Sequence, residues 1–345
     1  MKSRASLASR LNARLVLGIN LEAASGALAA TEAGALIDGI GTRRVRALEL
    51  GNEPDLYGRF TWYRTTDGRP VTGRPASYDL SSLTRDFTTV GSGLPRIPLA
   101  GPAFGSLAWA GGGLAGFLAT QPRLGLVTLH RYPLQSCFTR AGSSRYPTID
   151  PLLAAPASAG LAHSLAPFAL IAHGHGAPLV IDELSSVSCG AAPATSNSFA
   201  SALWALDALF ELARSGIDGV NVHTFPGAGY ELFRISSVGG RWRASVAPEY
   251  YGLLMFAQAT PRGSRLLALP PAHGQLKLWA TRAPDGRVRV ILINKDQGHA
   301  HVAVVRRPGS SAVATLERLQ APSVTASTGV TIGGQSFGTT TDTGT

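Results

Sequence analysis

The chain of 345 residues contains only two cysteines, Cys137 and Cys189. That number excludes a disulfide-stapled miniprotein, and their separation is not that of zinc ligands. Charged residues are scarce at 15% and hydrophobic residues reach 45%, which excludes a disordered polyelectrolyte and allows a sizeable core. Lysine is nearly missing: Lys2, Lys277 and Lys295 stand among 31 basic residues, and the others are arginine. No Gly-x-Gly-x-x-Gly follows the first apolar run and no Gly-x-x-x-x-Gly-Lys-Ser/Thr occurs, so nothing points to a nucleotide-binding sheet. No apolar run reads as membrane-spanning, so no membrane partner is expected. The opening "MKSRASLASRLNARLVLGINL" lacks a signal-peptide core and cleavage site.

What is present is a net charge of +10, with 40 glycines and 22 prolines that imply many turns. A surface of this sign attracts acidic partners such as nucleic acid or an anionic polysaccharide. The arginines form no dense run and are not interleaved with aromatics, so nucleic-acid binding is not expected.

Six near-continuous apolar runs read as strands buried on both faces of a parallel sheet: 14–21, 46–52, 96–102, 124–132, 177–183 and 218–224. Helical patterns fall between them. "SGALAATEAGALIDGI" ends near Gly41, and a second pattern covers 157–173. The clearest spans 196–215, with Thr195, Ser196 or Asn197 as cap and a stripe of Phe199, Leu203, Leu206, Phe210 and Ala213. Gly216 stands where a left-handed C-terminal cap belongs. A closing helix covers 248–259. After about 261 the pattern alternates, and "QLKLWATRA", "RVRVILINKD" and "HVAVVRR" read as an antiparallel meander. The Thr- and Gly-rich tail after Val324 reads as partly disordered. The expected fold class is α/β: an incomplete (β/α)8 barrel of about six βα units over 1–260, then a partial antiparallel β-sandwich over 261–345.

Each strand ends in polar residues: Asn20 and Glu22, Asn52 and Glu53, His130 and Tyr132, Asp182 and Glu183, Asn221 and His223. In a parallel barrel these ends open on one face, where active sites are built. Glu49, Gly51 and Glu53 share a face if their strand stays extended, with Glu53 at the rim and Glu49 deeper. Taken singly, Glu49 reads as a structural carboxylate and Glu53 as a cap or loop residue. Glu53 and Glu183 together are the two carboxylates that glycoside hydrolysis requires. Asp182, beside Glu183, is expected to point away from the pocket by strand alternation and to be structural. His173 and His175 lack a carboxylate partner and read as a loop, so no metal or cofactor is expected.

The blocks "ELGNEPDLY" (49–57), "TLHRYPL" (128–134), "IDELSSVSCGAAP" (181–193) and "NVHTFPGAGYELF" (221–233) resemble the core of glycoside hydrolase family 79, the β-glucuronidases and heparanase-like enzymes. The resemblance implies a retaining β-glucuronidase-type hydrolase acting on a uronate-containing carbohydrate by double displacement. It implies Glu53 as general acid/base and Glu183 as nucleophile. It places Asn52 on the sugar 2-hydroxyl, and Tyr230 and Gly190 on the uronate carboxylate. His130, Tyr132 and His223 are expected to line the same pocket. Partial burial and a negative Glu183 favour the protonated Glu53 that this role needs.

The sequence also departs from the family. Where heparanase-like members read Ala-Tyr-Gly-Gly after the nucleophile, this chain reads Val187, Ser188, Cys189, Gly190. Ser188 can donate a hydrogen bond but is shorter than the tyrosine, which opens two rivals: a clan relative acting on neutral sugars, and a non-catalytic sugar binder. Both cysteines are expected at the rim, and a disulfide and two separate thiols stay open. "RLVLGINL" resembles the family's third strand, so the expectation is a fragment of a longer enzyme, truncated at both ends and unstable alone. A signal peptide upstream of Met1 would make that enzyme secreted. The loop 58–80 walls one side of the cleft in this reading, which favours exo over endo action.

Overall fold

The computed structural model describes residues 2–270, 275–305 and 314–338. The chain divides into two compact units. The first holds the residues up to Arg131 with Leu165–Leu184 and Gly216–Val222; the second holds Tyr132–Ser164, Ser185–Ser215 and the residues from His223 onward.

The first unit is built on six strands: β1 Leu15–Ile19, β2 Val45–Leu50, β3 Leu99–Phe104, β4 Leu124–Arg131, β5 Leu179–Leu184 and β6 Gly219–Val222. All six expected strands form. They lie side by side in chain order, and every pairing is parallel. Helix α1, Lys2–Arg10, precedes β1, and helices α2 Gly26–Ile40, α3 Leu80–Ser92 and α4 Leu107–Ala119 intervene between β1 and β4. This is the partial (β/α) barrel that the alternating runs imply. Ala47, Ala100, Leu126 and Val180, one from each of β2 to β5, form a buried cluster on which Val16 of β1 packs. Strand β3 carries Ala100, Gly101, Pro102 and Ala103, all buried, so the sheet is thin at this point. Helix α2 begins at Ser25, whose hydroxyl accepts from the Leu28 N–H, and stops at Gly41 with φ +90°. An exposed hairpin, Thr61–Arg64 with Pro70–Thr72, occupies the loop after β2; the sequence reading had only a loop there.

Helix α5, Ala159–Gly174, corrects the membrane reading. With the turn before it, Ala155–Gly174 is a 20-residue helical stretch of mean hydropathy 1.3, long and apolar enough to cross a membrane. It carries Pro167, and 44% of its most apolar 18 residues are buried inside the fold.

The second unit centres on α6, Phe199–Arg214, against α7, Pro248–Ala259. Its cap is Ser198, one residue beyond the predicted candidates. The single apolar stripe is also an underestimate. Ala200, Ser201, Trp204, Ala205, Asp207 and Glu211 are buried with Leu206 and Phe210, because packing surrounds the helix. Leu206 and Phe210 join Ala259, Trp279, Ile291 and Ile293 in one cluster, with the Phe210 and Trp279 rings stacked at 5.3 Å. Buried Asp207 takes Lys295 Nζ at 2.7 Å, Ser158 Oγ at 2.6 Å and Trp279 Nε1 at 3.1 Å.

The alternating region gives β9 to β11 below, after a hairpin that the sequence reading did not name: β7 Phe233–Val238 and β8 Arg241–Val246, turned by Gly239 and Gly240 at φ +57° and +75°. Strands β9 Arg265–Leu266, β10 Leu276–Arg282 and β11 Val288–Asn294 pair antiparallel. "HVAVVRR" is not a strand over its described part, 301–305, and its last two residues lie outside the described residues. The tail is ordered over 325–338, where β13 Thr331–Ile332 pairs with β12 Leu319–Gln320; 339–345 lie outside the described residues.

Candidate active site

Strand β2 stops at Leu50 and does not stay extended. Gly51 takes φ +91° and Glu53 φ +50°. A Cβ on Gly51 would come 3.0 Å from Tyr57 Oη, so glycine satisfies both the turn and the close approach. A left-handed conformation at Glu53 costs on the order of 1 kcal/mol and persists where neighbours over-determine it. They do: Glu53 N donates to Ala103 O at 2.9 Å, and the Asp55 carboxylate accepts from Gly105 N, Ser106 N and Ser106 Oγ at 2.8–2.9 Å. Gly105 makes room for Glu53, since a Cβ there would lie 2.7 Å from its carboxyl carbon. Asn52 is exposed, and its N–H donates to Tyr57 Oη at 3.1 Å.

Glu183 is brought beside Glu53 by β4 and β5. Leu129 pairs with Ile181, but His130 pairs with Glu183. Asp182 is the extra residue of a β-bulge, and the bulge undoes the strand alternation. This corrects the reading of Asp182: its Oδ2 lies 3.4 Å from His130 Nε2. On the other side of the ring, Nδ1 lies 3.0 Å from Glu53 Oε1 and 3.4 Å from Glu183 Oε2. Burial opposes a charged His130, yet hydrogen bonds to Asp182 and Glu53 and the charges of Asp182 and Glu183 push it well above the usual histidine range. Beneath them, burial first and then the charge of Asp182 push Glu49 well above the usual carboxylate range. Glu49 is thus the deep carboxylate that strand parity implied, and its Oε1 is buried without a hydrogen-bond partner.

One ligand-capable atom from each of Glu53, His130 and Glu183 falls within 4.8 Å of the others. Two carboxylates and an imidazole are a metal-binding composition. Here both ring nitrogens of the buried His130 also face carboxylates, Nδ1 at 3.0 and 3.4 Å and Nε2 at 3.4 Å.

Three other expected site residues meet in the second unit. Tyr132 Oη lies 2.5 Å and Tyr230 Oη 3.2 Å from His223 Nδ1. Ser188 Oγ donates to Leu134 O at 3.4 Å. Cys137 and Cys189 are joined in a disulfide with Cα atoms 5.8 Å apart, which closes the alternative of two thiols. Cys189, Gly190 and Ala191 all have positive φ, at +65°, +88° and +73°. A glycine at position 189 would take this conformation without strain.

Residues 278–345 match the glycosyl hydrolase family 79 C-terminal beta domain. No curated protein sequence matches the chain. Among solved structures, a 4-O-α-L-rhamnosyl-β-D-glucuronidase from Fusarium oxysporum 12S is similar over 98% of this chain and 72% of that one, at 20% identity and TM-score 0.69. A GH51 arabinofuranosidase from Xanthomonas axonopodis pv. citri is similar over 94% and 70%, at 14% identity and TM-score 0.58. CelM2, a bifunctional glucanase-xylanase from a metagenome library, is similar over 80% and 58%, at 15% identity and TM-score 0.51. At these identities the likeness is one of fold. Residues 278–345 thus match a domain of glycosyl hydrolase family 79, and the six parallel strands of the first unit form the partial barrel that the sequence resemblance implied.

Proposed function

We propose that the chain is a retaining β-glycoside hydrolase of the β-glucuronidase type, with 1–260 as its catalytic part and 261–345 as its β domain. The observation that carries the reading is the Glu53–Glu183 approach. Their facing oxygens lie within 4.8 Å. Retaining enzymes need carboxyl groups about 5–5.5 Å apart, and inverting enzymes need about 6.5–9.5 Å to admit a water. Glu53 protonates the leaving oxygen while Glu183 attacks the anomeric carbon. Glu53 then deprotonates the water that hydrolyses the glycosyl ester. Asn52 holds the 2-hydroxyl, and Tyr230 and Gly190 hold the uronate carboxylate. Tyr132 and His223 line the sugar.

The preference for glucuronides is supported by the match to the family 79 domain and by the likeness to the Fusarium rhamnosyl-glucuronidase. Neutral sugars are the second reading. Ser188 favours it, because its hydroxyl is already engaged with Leu134 O and stands where the family's gripping tyrosine belongs. Comparing release of aryl alcohol from an aryl β-D-glucuronide and an aryl β-D-glucoside decides between them. Faster release from the glucuronide supports the primary reading, and the reverse supports the second.

A further inference from the structure

Four carboxyl groups surround one imidazole in the first unit. Glu53 and Glu183 share Nδ1 of His130, Asp182 faces Nε2, and Glu49 lies beneath, close enough to Asp182 to feel its charge. His130 is 1% exposed, and Glu49 Oε1 and Asp182 Oδ1 are both buried oxygens that receive no donor while both groups are ionised. Two buried carboxylates in contact cannot both stay charged, whereas one proton between them makes each oxygen a donor or an acceptor. Strands β1, β3 and β6 contribute no charged residue, reading LVLGI, LAGPAF and GVNV, and β4 adds Arg131 directly after His130.

We propose that Glu49 and Asp182 hold one proton between them beneath His130, and that this pair keeps the His130 ring a fixed cation between Glu53 and Glu183. The proton rests on Glu49, since Asp182 faces the imidazolium and is favoured as the anion. The high proton affinities of Glu49 and His130 agree with this assignment.

The kinetic consequence rests on the glycosidase reading. In the first step Glu183 forms a C–O bond to the sugar and loses its negative charge. Glu53 passes its proton to the leaving oxygen and gains one. The negative charge moves from one partner of His130 Nδ1 to the other, and the cation between them sees the same total charge throughout. Such a preorganised counter-charge needs no rearrangement during the reaction. Glu49 and Asp182 are positioning residues in this scheme.

The test is 15N NMR of the histidine rings from pH 5 to 9, with the His130 signals assigned by their loss in His130→Asn. The expected result is a ring protonated on both nitrogens through pH 8, in the wild type and in Glu49→Gln, whose amide replaces the protonated carboxyl. In Asp182→Asn the ring is expected to be neutral at pH 7.5. With an aryl β-D-glucuronide, Asp182→Asn is expected to lower kcat about 100-fold. A neutral His130 at pH 7 in the wild type, or a ring neutralised by Glu49→Gln, would overturn the proposal. The wild-type and Glu49→Gln spectra decide it even if Asp182→Asn does not fold. No turnover by any form, with the cationic ring observed, would sink the glycosidase reading and leave the proton pair standing.

Discussion

His130 on β4 stands opposite Glu183 on β5, with Asp182 bulged out between Ile181 and Glu183. That one-residue irregularity turns two consecutive acids toward the same imidazole, one to each ring nitrogen. It also gathers the carboxyl groups of Glu53, Asp182 and Glu183 around one buried ring.

Gly105 is the first place to perturb this arrangement without touching a charge. Gly105→Ala puts a methyl 2.7 Å from the Glu53 carboxyl carbon, so the carboxyl must move. A displacement of about 1 Å costs on the order of 100-fold in rate. Steady-state kinetics on an aryl glycoside should show the loss in kcat with little change in melting temperature.

Glu249 offers a stability prediction independent of catalysis. Its side chain is buried in the second unit, Oε2 has no hydrogen-bond partner, and burial pushes it from 4.5 up to about 8. A raised acid contributes stability that is complete below pH 4.5 and is lost as pH rises through about 8. Glu249→Gln should remove that loss and raise stability at pH 8 by a few kcal/mol, at about 1.4 kcal/mol per unit. Thermal melts across pH 5–9 check it; equal pH dependence in both proteins would contradict it.

Asp207 is fully buried and is bonded to Lys295, Ser158 and Trp279. Asp207→Ala strands the ammonium of Lys295 without a counter-charge and should cost about 3–5 kcal/mol in chemical denaturation. A double variant, Asp207→Leu with Lys295→Met, should recover most of that loss, because two apolar side chains need no pairing.

The Cys137–Cys189 bond spans 52 residues. Replacing both cysteines by serine should destabilise the second unit by roughly 2–4 kcal/mol through the added freedom of the unfolded chain. The melting temperature of the reduced wild type should fall to match the variant.

The parts legible in the sequence were those set by periodicity and by local turn chemistry. All six strands are continuous apolar runs, and Gly41 and Gly216 mark helix ends by their left-handed conformation. The pair Glu53 and Glu183 could be named because each ends such a run. The place of Asp182 could not, since alternation assumes a regular register and a bulge carries no single-residue signature. The hairpin at Gly239–Gly240 did leave a signal, the two adjacent glycines, which the reading passed over. Buried Asp207 and Glu211 escaped because their ion-pair partners Lys295 and Lys277 lie 88 and 66 residues away in sequence.

The most direct test of the account is the stereochemistry of hydrolysis. An aryl β-D-glucuronide is hydrolysed in the NMR tube by the wild type and by Glu183→Gln, and the anomeric proton of the first-formed sugar is followed. The account predicts the β-anomer first, with turnover lost by more than about 1,000-fold in Glu183→Gln. The α-anomer appearing first, or turnover that survives the substitution, would contradict it.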